Sequence, residues 1–158
     1  MRGNEKVIAE LNSALRAELT AIVQYMVQSE FCQNWGYTRL GAILKKRAIE
    51  EMGHAEGLIE RLVFLDAVPE VKIGLTPELG QNVKAQLESD LKDELDSVRN
   101  YNASVKVCRE ASDDGTRELF VGMIHDEEVH ADFLEAQLHS IGEIGLPAYL
   151  SQQLHAEN

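Results

Sequence analysis

A chain of 158 residues with 44% hydrophobic content and three prolines suits one all-helical domain over residues 1–158, with a substantial core. Its formal charge of −12 repels nucleic-acid phosphates and attracts cations. No apolar run is long enough to span a bilayer and the opening MRGNEKVIAE lacks a signal-peptide pattern, so the expectation is a soluble cytoplasmic protein with neither nucleic acid nor membrane as partner.

Asn4 can cap a first helix over about residues 4–34. Its apolar residues Ile8, Leu11, Leu15, Ile22 and Tyr25 advance by three, four or seven, which puts Glu18 inside the stripe. Gly36 supplies a stop, and a tight turn leads into a second helix over about 38–66. Its stripe is Leu40, Leu44, Arg47, Glu51, His54, Leu58 and Leu65, with the polar members at mid-helix. Residues 67–82 then hold Pro69, Gly74, Pro77 and Gly80, too long a connection for a hairpin turn. Such a crossover can run the length of a bundle and leave the second and third helices parallel. The third helix, about 83–111, carries Val83, Leu87, Asp90, Glu94, Tyr101, Val105 and Cys108. Asp113-Asp114-Gly115 separates it from a fourth over about 115–141, which buries Phe120, Ile124, Glu127, His130 or Ala131, Leu134 and Leu138. After Gly142 and Gly145, Pro147 opens a short fifth helix over about 147–154.

The polar residues in these stripes form a repeat. Glu51-Met52-Gly53-His54 has a twin at Glu127-Glu128-Val129-His130, and Glu-x-x-His on a helix sets both side chains on one face. Glu18 precedes Glu51 by the same 33 residues that separate Glu94 from Glu127, so the first half maps onto the second at an offset of 76. Val7, Leu11, Leu15, Tyr25 and Cys32 land on Val83, Leu87, Leu91, Tyr101 and Cys108. One helix pair is thus used twice. Two copies supply four carboxylates and two imidazoles, a set suited to transition-metal ions and with a charge that two divalent cations cancel.

This pattern resembles the ferritin-like di-iron bundles, and among them the bacterioferritins. The resemblance runs from Val7-Ile8 and Asn34-Trp35-Gly36 through Ile49-Glu50-Glu51-Met52 and Ser89-Asp90-Leu91 to Asp126-Glu127-Glu128 and His130. It implies a four-helix bundle with a long crossover between the second and third helices and a short fifth helix. It also implies a hollow shell of 24 copies, built from two-fold dimers, that oxidises Fe(II) with O2 or H2O2 and stores the ferric mineral inside. Glu18, Glu51, His54, Glu94, Glu127 and His130 match the family's di-iron ligands. Glu51 and Glu127 would bridge the irons, while Glu18 and Glu94 would each bind one. Asp90 reads two ways, as the hydrogen-bond partner of a ligand histidine or as an ordinary polar helix residue. Tyr25 and Tyr101 lie on the same face, as electron donors, hydrogen-bond partners or packing residues.

Met52 is rotated about 100° from the site stripe and points away from its own bundle. The resemblance makes it an axial ligand of haem b or a related iron porphyrin, shared with its copy across a two-fold interface. It further implies a small ferredoxin-like reductase for iron release. Lys46 stands where some relatives carry an interior-facing His, and Glu50 where they carry Asp, departures from the pattern of an accessory iron site on the inner wall. Ala148 and Ser151 replace larger polar residues near the four-fold channel, whereas Asn34, Asp66 and Asp132 match residues lining another pore. His125, His139 and His155 have no Glu three residues before them and read as ordinary histidines. A rubrerythrin-like oxidase or peroxidase could use the same six ligands, but no Cys-x-x-Cys pair is present. A DNA-protecting ferritin relative would show a basic tail, which is missing.

Cys32 and Cys108 each lie 14 residues beyond their helix's Glu ligand, or about 21 Å along the axis. With the first and third helices antiparallel they fall at opposite ends of the bundle, far beyond the roughly 7 Å between Cα atoms that a disulfide allows. Two free thiols are expected.

Overall fold

The helices are α1 (Glu5–Asn34), α2 (Thr38–Phe64), α3 (Val83–Glu110), α4 (Asp114–Ile144) and α5 (Leu146–Ser151). This computed structural model describes residues 1–74, 79 and 81–155. Three helix starts are capped by short polar side chains. Asn4 Oδ1 accepts from Lys6 N (2.9 Å), Asn82 Oδ1 from Ala85 N (3.0 Å) and Asp113 Oδ1 from Thr116 N (3.0 Å).

The repeat is visible in the turns. After α1, Tyr37 N donates to Cys32 O (2.8 Å) and Gly36 N to Gln33 O (3.1 Å). After α3, Asp113 N donates to Cys108 O (2.9 Å) and Ser112 N to Arg109 O (3.1 Å). Each pair closes a Schellman turn around one left-handed residue, Gly36 at φ 88° and Ser112 at φ 57°. The two sites are 76 positions apart, like the ligands.

Cross-helix contacts establish the directions. Up α3, Gln86, Asp90, Glu94, Tyr101 and Ser104 meet Cys32, Gln28, Tyr25, Glu18 and Glu10, in descending order along α1. Arg47, His54 and Arg61 of α2 likewise meet Phe133, Asp126 and Thr116 of α4. Both diagonals are antiparallel, as are both hairpins, so α2 and α3 run parallel. The crossover makes this possible. Glu70 N donates to Asn12 Oδ1 (2.8 Å) and Gly74 N to Thr20 Oγ1 (2.7 Å). Eight helical residues of α1 rise about 12 Å, and four extended residues span about 13 Å, so this segment climbs α1 almost fully stretched. Pro77 and Gly80 lie outside the described residues.

The apolar core forms two clusters. One, around Leu11, Leu15, Leu58, Leu62 and Phe120, includes Cys108. The other, around Tyr25, Leu40, Leu44, Leu87 and Leu134, includes Cys32. The two cysteines are free and buried, one in each cluster. Buried between the clusters is a polar layer containing Glu18, Glu51, Glu94, Glu127 and His130.

Two boundaries differ from the sequence expectation by more than two residues. The fourth helix does not stop before Gly142 but runs through it to Ile144, ending at Gly145 with φ 81°. A Gly within the last turn costs at most about 1 kcal/mol, which burial of Ile141 in the second cluster outweighs. The fifth helix is correspondingly short, six residues ending at Ser151. Among the described residues no helix is long and apolar enough to cross a membrane.

Candidate metal centre

Each of the four long helices contributes one Glu to the buried layer, and α2 and α4 add one His each. The three-residue spacing of Glu-x-x-His brings His54 Nδ1 to 3.0 Å from Glu51 Oε2, and His130 Nδ1 to 2.9 Å from Glu127 Oε2. The hairpin neighbour supplies one further carboxylate to each histidine, and the α2–α4 diagonal another. His54 Nδ1 lies 3.5 Å from Glu18 and 3.3 Å from Glu127; His130 Nδ1 lies 3.1 Å from Glu51 and 3.6 Å from Glu94. All six residues proposed from sequence therefore converge. They form two metal-sized groups, Glu18-Glu51-His54-Glu127 and Glu51-Glu94-Glu127-His130, with Glu51 and Glu127 common to both.

Whether these atoms fit cations can be tested on their hydrogen bonding. Glu51 Oε1, Glu127 Oε2 and His130 Nδ1 are buried and make no hydrogen bond, although the nitrogen lies 3.1 Å from the first oxygen and 2.9 Å from the second. Their donor and acceptor directions do not meet. Such orphaned polar atoms are costly unless a further partner sits among them, and a cation bound by all three is that partner.

Protonation agrees with this picture. Burial pushes Glu51 up to about 9 and Glu127 up to about 11, against a hydrogen bond from His54 to each; neighbouring carboxylates push the same way as burial. Glu94 is raised as well, chiefly by burial. Burial disfavours charge on His54, but hydrogen bonds to Glu127, Glu18 and Glu51 outweigh it and raise its pKa. Without a metal, the cluster holds protons where cations would sit.

A second ring of contacts holds the ligands, and each half of the chain supports the other half's. Tyr101 OH donates to Glu18 and Tyr25 OH to Glu94. Both tyrosines are buried, and burial raises both pKa values well above the ordinary range, so they remain hydrogen-bond donors. Asp126 Oδ2 lies 3.0 Å from His54 Nε2, and Glu50 Oε2 lies 3.5 Å from His130 Nε2. A carboxylate at the far ring nitrogen keeps the proton there and leaves Nδ1 free to ligate.

Of the two readings of Asp90, the structure does not show the one that pairs it with a ligand histidine. Its Oδ1 accepts from Gln24 Nε2 (2.7 Å) and Gln28 Nε2 (2.8 Å), and burial pushes it up to about 7 against those two bonds. The histidine partners are instead Asp126 and Glu50, which sequence reasoning missed. Their signal was present, since an acidic residue directly precedes the Glu of both Glu-x-x-His motifs.

Glu50 also lies 3.7 Å from Lys46 and 3.5 Å from Arg47. Met52, off the site stripe, is 46% exposed, on an outward apolar line with Ile49, Ile59 and Val63. Asn34, Asp66 and Asp132 are all exposed. A groove of about 790 Å³ between α1 and α3 is bordered by Gly74 and reaches Glu18, Glu51, Glu94 and Glu127. The two histidines do not line it.

Residues 8–144 match the ferritin-like domain family. A bacterioferritin of Brucella melitensis is 42% identical over 94% of this chain and 92% of its own length. That of Rhodobacter capsulatus is 38% identical over 92% and 90%, and that of Mycobacterium avium 35% over 96% of each. A repeated helix pair folded around one buried carboxylate–histidine layer, and similarity over nearly whole lengths, lead to one conclusion: this chain belongs to the ferritin-like family and, within it, to the bacterioferritins.

Proposed function

We propose that the protein stores iron by oxidising Fe(II) at the buried centre and depositing the ferric product inside a shell of its own copies. The observation that carries this is the pair of four-residue groups sharing Glu51 and Glu127. Two shared carboxylates hold two substrate ions next to each other, so two electrons can leave together. With two protons, these reduce O2 to H2O2, or H2O2 to two waters. Glu18 with His54 and Glu94 with His130 each hold one ion, and the four carboxylates stabilise the added charge of the Fe(III) products. Tyr25 and Tyr101 keep Glu94 and Glu18 oriented.

The shell would comprise 24 copies assembled from two-fold dimers, a reading supported by family membership and by the outward apolar line on α2. That line also suits haem. Met52 offers a thioether in an apolar setting that a single chain leaves uncovered, and Met52 with its copy in a two-fold partner would hold the haem iron. Haem there would supply an electron path between the mineral and a ferredoxin-like reductase.

Removing one ligand tests the centre. Glu18→Ala, Glu94→Ala and His130→Ala should each slow the rapid phase of Fe(II) oxidation, followed by stopped-flow absorbance of the ferric product. Assembly should persist, since the ligands are internal. Wild-type rates in all three variants would sink the assignment.

A further inference from the structure

The repeat that pairs the ligands also pairs two cations. Arg16 and Lys92 stand 76 positions apart, each two residues before a ligand, Glu18 or Glu94. Two residues turn a helix by about 200°, so each Glu faces the buried layer and each cation the open side. Both cations line the groove of about 790 Å³ between α1 and α3, which reaches Glu18, Glu51, Glu94 and Glu127. One turn before each cation stands a serine, Ser13 or Ser89, also on the groove wall. The groove carries acids at its rim as well, but these are taken. Asp96 is bound by Arg99 (2.5 Å), Glu88 by Lys84 (3.6 Å) and Asp93 by Gln24 Nε2 (3.1 Å). Glu70, whose charge Arg16 also feels, is paired with Lys72 (3.0 Å). The side chains of Arg16 and Lys92 make no ion pair or hydrogen bond with any described residue. In a chain of net charge −12, two unpaired cations thus line the approach to a buried layer of four carboxylates.

We propose that the groove accepts Fe(II) as its complex with a small polycarboxylate, holding the anion on Arg16 and Lys92 while the metal passes to the carboxylates below. A bare divalent ion is repelled by both rim cations. A complex of net negative charge is attracted by them, and its metal arrives facing the acidic floor. The Arg16 guanidinium suits a carboxylate through two parallel N–H bonds, the Lys92 ammonium supplies rotatable donors, and the serine hydroxyls donate beside them. The space is of the size that holds small-molecule ligands. In the transfer, metal–oxygen bonds to the chelator break as those to the Glu ligands form. Protons displaced from the cluster go to the freed polycarboxylate or to water, and no electron moves.

This docking rests on the reading of the cluster as a metal centre, and offering one metal in two forms separates the two ideas. Co(II) is mixed anaerobically with the protein, either as the aquo ion or as its preformed citrate complex. Stopped-flow ligand-field absorbance of the protein-bound ion reads uptake without turnover. Both cations are exposed, and Gln is a good helix former, so an Arg16→Gln, Lys92→Gln double variant keeps the fold. At low salt it should take cobalt from citrate about tenfold more slowly than wild type, and take up the aquo ion about twofold faster. Those opposite signs are what a merely structural role would not produce. Added salt should shrink both differences, since the rim is exposed. A variant that slows both forms alike, or that leaves transfer from citrate unchanged, would overturn the docking while leaving the metal centre standing. Wild-type protein that binds Co(II) from neither form would overturn both.

Discussion

Loading the metal-free protein with Zn(II), which has no redox chemistry, should expel protons in a countable way. At neutral pH the empty cluster retains them: burial holds Glu51 at about 9 and Glu127 at about 11, and His54 stays protonated among three carboxylates. Ligation requires ionised carboxylates and neutral imidazoles. Filling one centre should therefore release at least two protons, shared out over the cluster rather than owned by single residues. Each displaced proton couples binding to pH by about 1.4 kcal/mol per pH unit, so two make the overall affinity rise about a hundredfold per unit between roughly pH 6 and 8. Calorimetry in two buffers of different ionisation enthalpy counts the protons directly. The same shifts govern the metal-free protein's stability. A carboxylate whose folded pKa is raised contributes stability that is full below its unfolded value, near 4.5, and is lost as pH climbs toward the folded value, about 9 for Glu51. Metal-free wild type should thus weaken across that window, by at most about 1.4 kcal/mol per pH unit for each such group. A Glu51→Gln, Glu127→Gln double variant should show a shallower decline, since two neutral amides have no proton to lose while Glu94, Asp90 and His54 still do. Release of less than one proton per centre, or an affinity flat in pH, would refute the reasoning.

Replacing Met52 by Leu keeps side-chain volume but removes the sulfur, so haem absorbance of the purified protein should vanish while Fe(II) oxidation continues. Full haem absorbance in that variant would exclude Met52 as ligand. Thiol titration should find two free cysteines per chain after unfolding and almost none reactive in the native state, because burial pushes Cys32 up to about 12 and Cys108 to about 11. That lowers the reactive thiolate by about two orders of magnitude for Cys108 and about three for Cys32 at mildly alkaline pH; a Cys32–Cys108 disulfide in peptide mapping would contradict the topology. Ser112→Gly should raise stability by about 0.5–1 kcal/mol in urea melts, because Ser112 sits in the left-handed region at φ 57°. Gly36→Ser, at the equivalent turn, should lose a similar amount, with no new steric contact to complicate it.

What the sequence determined alone was whatever a helix makes local. Stripes at three- and four-residue steps marked Glu18, Glu51, His54, Glu94, Glu127 and His130 as inward-facing, because a helix converts spacing into direction without outside help. The offset of 76 then paired the halves, and the length of the 67–82 segment implied parallel middle helices. Gly36 was legible as a stop for the same reason, being a local backbone preference. Ser112 was not, since the chain imposes that conformation on an unfavourable residue only through the packing of α3 against α4. Gly142 was misread as a stop because its local preference yields to the burial of its neighbour Ile141. The partners of the ligands were decided only in three dimensions. Asp90 looks like a histidine partner on its stripe, yet the crossing of α1 and α3 gives it to Gln24 and Gln28. Asp126 and Glu50 reach the histidines across the other diagonal, between helices more than 70 residues apart in sequence. Spacing along one helix says which face a side chain takes; which side chain stands opposite depends on how two helices cross, and that is set by packing of the whole core.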